Sequence, residues 1–462
     1  MSNPGKLRAD GGMPKGMAEK EHWGSRVGFV LAAAGSAVGL GNLWGFAYRA
    51  SQGGGGAFLL LYLLIVLVVC LPVLVAEMVL GRSTGHSPLL APVTAAGQRW
   101  QPLGWIFIAA SCGILAFYAV LMGWTGHTLI HALVVGLPAD LDASKAFFAG
   151  VSKGNSVLLG QGASLLLTAV VVATGVQSGI ERLSRWALPM LFVLLIGLAI
   201  WASGLDGAEA GRQTFLLEFD RSQLLNPTTI RNAFTQAFFS IGTGIGCILA
   251  YAAYLDRRAH LPREAVAVVG MDTAVGLLAG LVTFPIVMSF ENLQNAISSS
   301  TVGTLFVALP TGLASLDGPG RVVAVLFFCL AYLAAITSSV SLLEVPVASL
   351  MDRLGWTRRR AVILATVLIF LAGLPAATSE SAFDFMDSVF GGVLLIFGGL
   401  LISLLMGWRA PARFREDLSQ SGTPLGLRRV LLFSLRWVSP LVIAVGLVIS
   451  VVDLVRGWVG AA

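Results

Sequence analysis

Apolar residues along this chain gather in long runs separated by short polar stretches. Runs long enough to cross about 30 Å of hydrocarbon lie near 24–51, 56–81, 103–133, 156–174, 180–203, 230–256, 264–290, 319–351, 360–378, 382–408 and 430–456. The pattern predicts an all-α, polytopic membrane protein with about 11 transmembrane helices. Two longer connections interrupt it, 204–229 and 291–318, the second rich in Gly, Ser, Thr and Pro. That second loop is long enough to hold short helices and act as a lid. Residues 1–22 are polar and glycine-rich, and the apolar stretch after them is too long for a cleaved signal peptide, so it is expected to stay.

Two of the runs carry flaws. Gly35 to Asn42 reads GSAVGLGN, in the middle of the first span, and Gly242 to Gly246 reads GTGIG, in the middle of the sixth. Each glycine weakens a helix by roughly 1 kcal/mol relative to alanine. Ser36 and Asn42 add polar side chains at a depth where polarity facing lipid is costly. Irregular backbone at membrane depth survives only where it lines a cavity or is buried in protein. Five spans precede the GTGIG span and five begin with it, and an odd number of spans reverses direction between copies. The two halves therefore read as inverted repeats, 23–203 and 230–408, each opening on a broken helix. The tail 1–22, the loop 204–229 and the segment 409–462 with the eleventh span lie outside the repeat. Glycines that merely permit close helix packing are the alternative, but the same position in both halves favours a central site.

Composition agrees with a membrane protein. The chain is 56% hydrophobic and only 12% charged, against about 25% charged in soluble domains. The net charge of +6 reflects basic loops rather than a nucleic-acid partner. Of the 30 Lys and Arg, 21 fall on the side of the N-terminus and seven on the other, with Arg49 and Arg436 inside spans. The positive-inside rule then puts the N-terminus in the cytoplasm, in a multi-pass plasma-membrane protein, a bacterial inner membrane being the expected setting. Cys70, Cys112, Cys247 and Cys329 all sit within apolar runs, so no disulfide framework is expected. No hydrolase, redox or nucleotide-binding motif is present. An enzyme is not expected.

An unwound segment frees amides at the start of one half-helix and carbonyls at the end of the other. The amides suit a carboxylate, and the carbonyls suit a hard cation such as Na⁺. Together they predict a carboxylate-bearing substrate beside a cation. The eighth span adds Thr337, Ser338 and Ser339, three consecutive hydroxyls at mid-membrane. One or two such hydroxyls commonly bond back to their own helix; three in a row favour a neutral oxygen cage for Na⁺. Tyr118 offers a further hydroxyl. The carboxylates Glu77, Asp272, Glu344 and Asp387 fall within spans and count as functional candidates, although Glu77 and Glu344 lie near span ends and could serve as anchors.

These residues resemble a known family. GSAVGLGN followed by LW, the run GGGGAF, Glu77 to Arg82 (EMVLGR), Gln236 to Ser240 (QAFFS), Gly244 to Gly246 and Ala334 to Ser339 (AAITSS) are similar to the neurotransmitter:sodium symporter family, in order from about Trp23 to Asp387. The resemblance implies a Na⁺-coupled symporter importing an amino acid or amine by alternating access, with two sodium sites. One would use the Ala37 carbonyl, Asn42, Ser240 and the substrate carboxylate, with Asp272 nearby. The other would use the carbonyls of Gly35, Val38 and Ala334 with the hydroxyls of Thr337 and Ser338. The substrate carboxylate would meet the amides of Leu40 and Gly41 and the Tyr118 hydroxyl. Its side chain would face Ser36, Ile114, Phe239, Gly242, Ile245, Ser338 and Leu342, with Phe239 as a lid. Lys20, Trp23, Tyr254 and Asp352 match the inner gate. Gly179 and Pro189 match a fifth-helix pattern associated with unwinding.

Position 39 is Gly where the family's monoamine carriers have Asp, which favours an amino acid, and the apolar pocket points to a neutral, hydrophobic one. Two departures stand out. Gly45, Phe46 and Ala47 occupy the place of an Arg-Phe-Pro, so the outer gate with Asp387 lacks its cation, and Arg49, one turn on, is a candidate substitute. Tyr62, Gln236 and Ser240 match a chloride site, but Gly276 stands where chloride-independent relatives carry Glu. Either chloride is required, or Asp272 or a proton compensates. A proton-coupled permease and a non-transporting amino-acid receptor are the competing functions.

Overall fold

The computed structural model describes residues 21–290, 301–316 and 319–461. Nine helices there are long and apolar enough to cross a membrane: α3 (Gly56–Thr84), α4 (Gln98–Val134), α5 (Asn155–Ala173), α6 (Val176–Ala202), α9 (Leu261–Met288), α11 (Gly320–Leu354), α12 (Arg358–Thr378), α13 (Glu380–Arg409) and α15 (Leu425–Val452). The tenth is a pair, α1 (Arg26–Ala37) and α2 (Gly41–Gln52), bent by 61° at residues 38–40. A second interrupted pair, α7 (Pro227–Ile241) and α8 (Cys247–Ala252), stands where the sixth apolar run lies. The described helices follow the apolar runs to within a few residues, because run length alone specifies a span. Shorter helices include α10 (Thr304–Ala314) and α14 (Pro411–Gln420).

Local chemistry sets the ends. Ser25 caps α1 by accepting from the Gly28 amide at 2.8 Å, and Asn226 caps α7 with Pro227 in the first turn. Gly85 and Gly355, both left-handed, close α3 and α11. Lys20 and much of the 291–318 loop lie outside the described residues. The flanking part of that loop holds α10, packed beside the short helix Leu141–Val151.

Burial separates an inner layer from an outer one. In the most apolar stretch of α4, 78% of residues are buried, against 28% in α15. The inner helix α4 packs chiefly on α11 and α5, while α1 is wedged between α6, α9 and α11. Both breaks therefore sit deep in the bundle, where freed backbone groups meet protein rather than lipid.

Candidate functional site

The break after α1 is visible in its hydrogen bonds. In a continuous helix the Gly39 amide would bond the Gly35 carbonyl and the Asn42 amide the Val38 carbonyl. Instead Gly39 N donates to Asn42 Oδ1 (3.3 Å), and Asn42 N donates to Gly39 O (3.2 Å). The Gly35 and Val38 carbonyls turn to α11. Ser338 Oγ lies 3.3 Å from Gly35 O, 3.2 Å from Val38 O and 3.3 Å from Ala334 O. One hydroxyl carries one proton, so at least one of the Gly35 and Val38 carbonyls receives none from it. Thr337 Oγ1 lies beside them, 3.0 Å from Ala334 O. Three carbonyls thus gather around Ser338 Oγ, with Thr337 Oγ1 beside one of them, all from the residues expected for one cation. Ser339 points elsewhere and meets Thr168 at 2.8 Å.

The second break is built from three glycines, Gly242, Gly244 and Gly246, with φ of +68°, +91° and +83°. That region is steeply unfavourable for side chains with a Cβ, and a Cβ on Gly244 would also collide with the Leu395 carbonyl. The amides freed here are met by Glu77, which accepts from Gly246 N (2.9 Å) and Gly244 N (3.3 Å) while fully buried. Glu77 is therefore the anchor of the broken segment, and its carboxylate does not face the central cavity.

Between the two breaks lies a small cavity of about 30 Å³ lined by Ser36, Gly39, Tyr118, Phe239, Ile245 and Leu342, among others. The expected Ile114, Gly242 and Ser338 line it as well, with Ala37 and Asn42 from the neighbouring cation set. Tyr118 reaches the break, its hydroxyl accepting from the Leu40 amide (3.1 Å). Gly41 lies against the Phe239 ring. Cys247, Ser341 and Leu395 also line the cavity without having been expected. The sequence held a signal for Ser341, one turn beyond Ser338 on the same face; its hydroxyl accepts from Ser36 Oγ at 2.7 Å.

A second polar cluster adjoins the cavity. Asn42 Nδ2 donates to Ser240 Oγ (2.8 Å) and Asp272 Oδ1 (2.7 Å), and Ser240 Oγ donates to Asp272 Oδ2 (2.7 Å). Tyr62 OH lies 3.5 Å from the same Asp272 oxygen. The expected chloride lining is divided: Tyr62 and Ser240 turn to Asp272, whereas Gln236 spans from the Gly41 carbonyl (3.3 Å) to the Arg49 guanidinium (2.5 Å). The Arg49 Nη1 lies where a side chain on Gly45 would begin. Asp387 interacts electrostatically with Arg49, and no direct ion pair joins them among the described residues. Gly391 packs against both Asp387 and the Phe239 ring.

At the end of the bundle where α1 begins, Trp23 Nε1 donates to the Tyr251 carbonyl (2.8 Å) and its ring meets Tyr251 edge-on. The Tyr254 hydroxyl donates to Glu344 (3.2 Å), not to Asp352. Asp352 instead accepts from the Ser87 amide (2.8 Å) and meets His86 Nδ1 at 3.1 Å. Arg358 grips two carboxylates at once, Glu21 (2.7 and 2.8 Å) and the fully buried Glu344 (2.7 and 3.0 Å). Glu21 and Arg358 carried no sequence signal, since Arg358 opens a run of three arginines and its partners lie 337 and 14 positions away. Gly179 falls in a π-helical turn, Val176–Glu181, at the start of α6, with Pro189 inside that helix. Such turns are frequent at functional sites.

Broken helices meeting at mid-bundle, around a cavity flanked by carbonyl and hydroxyl oxygens, define a secondary transporter. The profile of the Sodium:neurotransmitter symporter family matches residues 20–146 and 145–458, and the chain belongs to that family. It is 35% identical over 401 residues to the uncharacterized sodium-dependent transporter YhdH of Bacillus subtilis, covering 83% of this chain and 87% of that one. It is 25% identical over 439 residues to sodium-dependent nutrient amino acid transporter 1 of Drosophila persimilis, covering 82% of this chain and 67% of that one. Its fold matches the crystal structure of MhsT in complex with L-phenylalanine, with a TM-score of 0.85 and 36% identity, across 93% of this chain and 99% of that one. The protein is a multi-span, sodium-dependent membrane transporter and not an enzyme.

Proposed function

We infer that the protein imports a neutral, hydrophobic amino acid by symport with Na⁺, from two inverted five-helix repeats in a bacterial inner membrane with the N-terminus in the cytoplasm. The observation that carries this reading is the convergence of Gly35, Val38 and Ala334 carbonyls on the Thr337 and Ser338 hydroxyls. These are hard, neutral oxygens, appropriate to Na⁺ rather than to a transition metal, and among the described residues no cluster of three His, Cys, Asp or Glu could hold one. A proton-coupled permease would have no use for such a cage. The Asn42–Ser240–Asp272 cluster supplies the second sodium site together with the Ala37 carbonyl.

The substrate carboxylate is assigned to the freed amides of Leu40 and Gly41 and to the Tyr118 hydroxyl, beside the first sodium. Its side chain then lies among Ile114, Phe239, Ile245 and Leu342, with Leu395 behind. The phenylalanine bound by the structural neighbour is consistent with a pocket of this kind. Uptake of a labelled amino-acid panel into proteoliposomes tests the reading.

Chloride is not required on this reading. The Asp272 carboxylate already occupies the Tyr62 and Ser240 donors, so an anion there would meet a buried like charge. At Gly276 a side chain would press on the Phe46 ring, so that position supplies no carboxylate. Replacing external chloride with gluconate is expected to leave the initial uptake rate unchanged; a proportional fall would refute the Asp272 assignment.

Arg49 replaces the missing outer-gate arginine. Gly45 leaves the space into which the guanidinium folds, and Gln236 and Asp387 receive its charge above the Phe239 lid. Arg49→Ala is expected to weaken substrate affinity about tenfold, as for one lost charged hydrogen bond. Equilibrium binding by scintillation proximity reads this, and wild-type affinity and uptake would sink the substitution. At the inner end, the Glu21–Arg358–Glu344 clamp closes the path together with Trp23 and Tyr254.

A further inference from the structure

We propose that the cytoplasmic ends of α14 and α15 form a binding site for the headgroup of an anionic phospholipid. A cavity of about 360 Å³ there is lined by Arg415, Arg428, Arg429 and Arg436 with Phe433 and Trp437. Four cations around one cavity repel one another unless an anion joins them. Among the described residues none of the four makes an ion pair with a carboxylate, although α14 carries acids of its own. Asp417 turns inward and is bound to the buried Arg82 of α3. Arg428 Nε is buried with no hydrogen-bond partner, an unmet donor on the wall of this cavity.

The surroundings say what the anion belongs to. Phe433 is 60% exposed and Trp437 56%, with Val430 and Leu441 also open along the same helix, so the mouth of the cavity faces the membrane. Trp437 packs edge-on against Trp408 at 4.7 Å, an aromatic pair of the kind that marks the membrane–water interface. Arg436 lies about two turns deeper than Arg429 along α15, where an uncompensated cation is costly. Its Nε donates to the Gly407 carbonyl (2.7 Å), which leaves the guanidinium fixed at the cavity. A phosphodiester at headgroup depth with acyl chains along Phe433 and Val430 meets both the charge and the apolar wall. A free phosphate meets only the charge.

The site is also held rigidly. The Arg82–Asp417 pair and the bond from Arg413 to the Ser83 carbonyl (3.2 Å) clamp α14 to the end of α3. Arg415 is thereby presented to the cavity from a fixed helix. A lipid bound here would tie α14 and α15 to the rest of the bundle, outside the two broken spans.

Native mass spectrometry of the purified full chain, incubated with phosphatidylglycerol or phosphatidylcholine, tests this. The wild type should retain one phosphatidylglycerol at least about tenfold more tightly than phosphatidylcholine, since each nearby arginine adds to the attraction of an anionic headgroup. Arg428→Gln with Arg429→Gln should lose about tenfold or more of that retention, while Arg359→Gln with Arg360→Gln, an exposed basic pair at the start of α12, should lose none. If the first double variant does not fold, Arg415→Gln should show a several-fold loss in its place. Millimolar inorganic phosphate should not displace the lipid. Equal retention of the two lipids, wild-type retention in Arg428→Gln/Arg429→Gln, an equal loss in the α12 control, or displacement by phosphate would each overturn the proposal. Sodium-driven uptake, measured in parallel, reports on the central site independently.

Discussion

Ser338→Ala should raise the sodium concentration needed for half-maximal uptake by about tenfold to a hundredfold. Its hydroxyl is the point where three carbonyls from two helices meet, and loss of one oxygen ligand to a charged partner costs about 1.5–3 kcal/mol. The Gly35 and Val38 carbonyls have no amide to return to, because the amides that would bond them in a continuous helix are bonded to Asn42 Oδ1 and the Gly39 carbonyl. The variant therefore leaves those groups buried and unmet when sodium is absent as well. Thr337→Ala should act in the same direction. Ser339→Ala is the control, since that hydroxyl faces Thr168 on α5, and its sodium dependence should stay near wild type. Sodium titration of initial uptake rates separates the three. A Ser338→Ala protein with wild-type sodium dependence would mean that the cage is structural.

Gly39→Asp is the second large effect expected, a loss of amino-acid uptake beyond about a hundredfold. A Cβ at position 39 would sit 2.9 Å from Ser338 Oγ and 3.0 Å from the Tyr118 hydroxyl, so the side chain enters the cavity. A carboxylate there takes the place assigned to the substrate's own carboxylate and repels it, a like-charge juxtaposition worth several kcal/mol. Gly39→Ala isolates the steric part. Its neighbours are the ends of side chains that can shift, so the loss should be much smaller. Competition binding with the preferred amino acid reads both variants. If Gly39→Asp binds amino acids as the wild type does, the carboxylate does not lie at the α1 break.

Both effects rest on residues legible in the sequence, and the reason is local. Span positions follow from run length, and the breaks follow from glycines that no continuous helix at mid-membrane would gather. Thr337 and Ser338 stood out as consecutive hydroxyls, and the carbonyls of Gly35 and Val38 beside them were implied by the family resemblance. What stayed hidden depends on pairing across the bundle. Gln236 has the same side chain whether it lines an anion site or receives Arg49, and only the fold brings α2 beside α7. Arg358 could not be told from Arg359 and Arg360, yet it alone reaches Glu344 and Glu21. Asp352 matched a gate pattern but meets His86 and Ser87, because α11 ends against the turn after α3. Glu77, a candidate for chemistry, proved to be the acceptor for amides freed by three left-handed glycines.

The central claim is coupled transport, and counterflow-free uptake into proteoliposomes tests it most directly. Vesicles loaded with potassium buffer are given labelled phenylalanine, leucine and other neutral amino acids with Na⁺, with K⁺ or with a proton gradient outside. Accumulation above the external concentration that requires inward Na⁺ and disappears in Thr337→Ala is the result predicted here. Sodium-dependent binding without accumulation, or accumulation driven by protons alone, would contradict it.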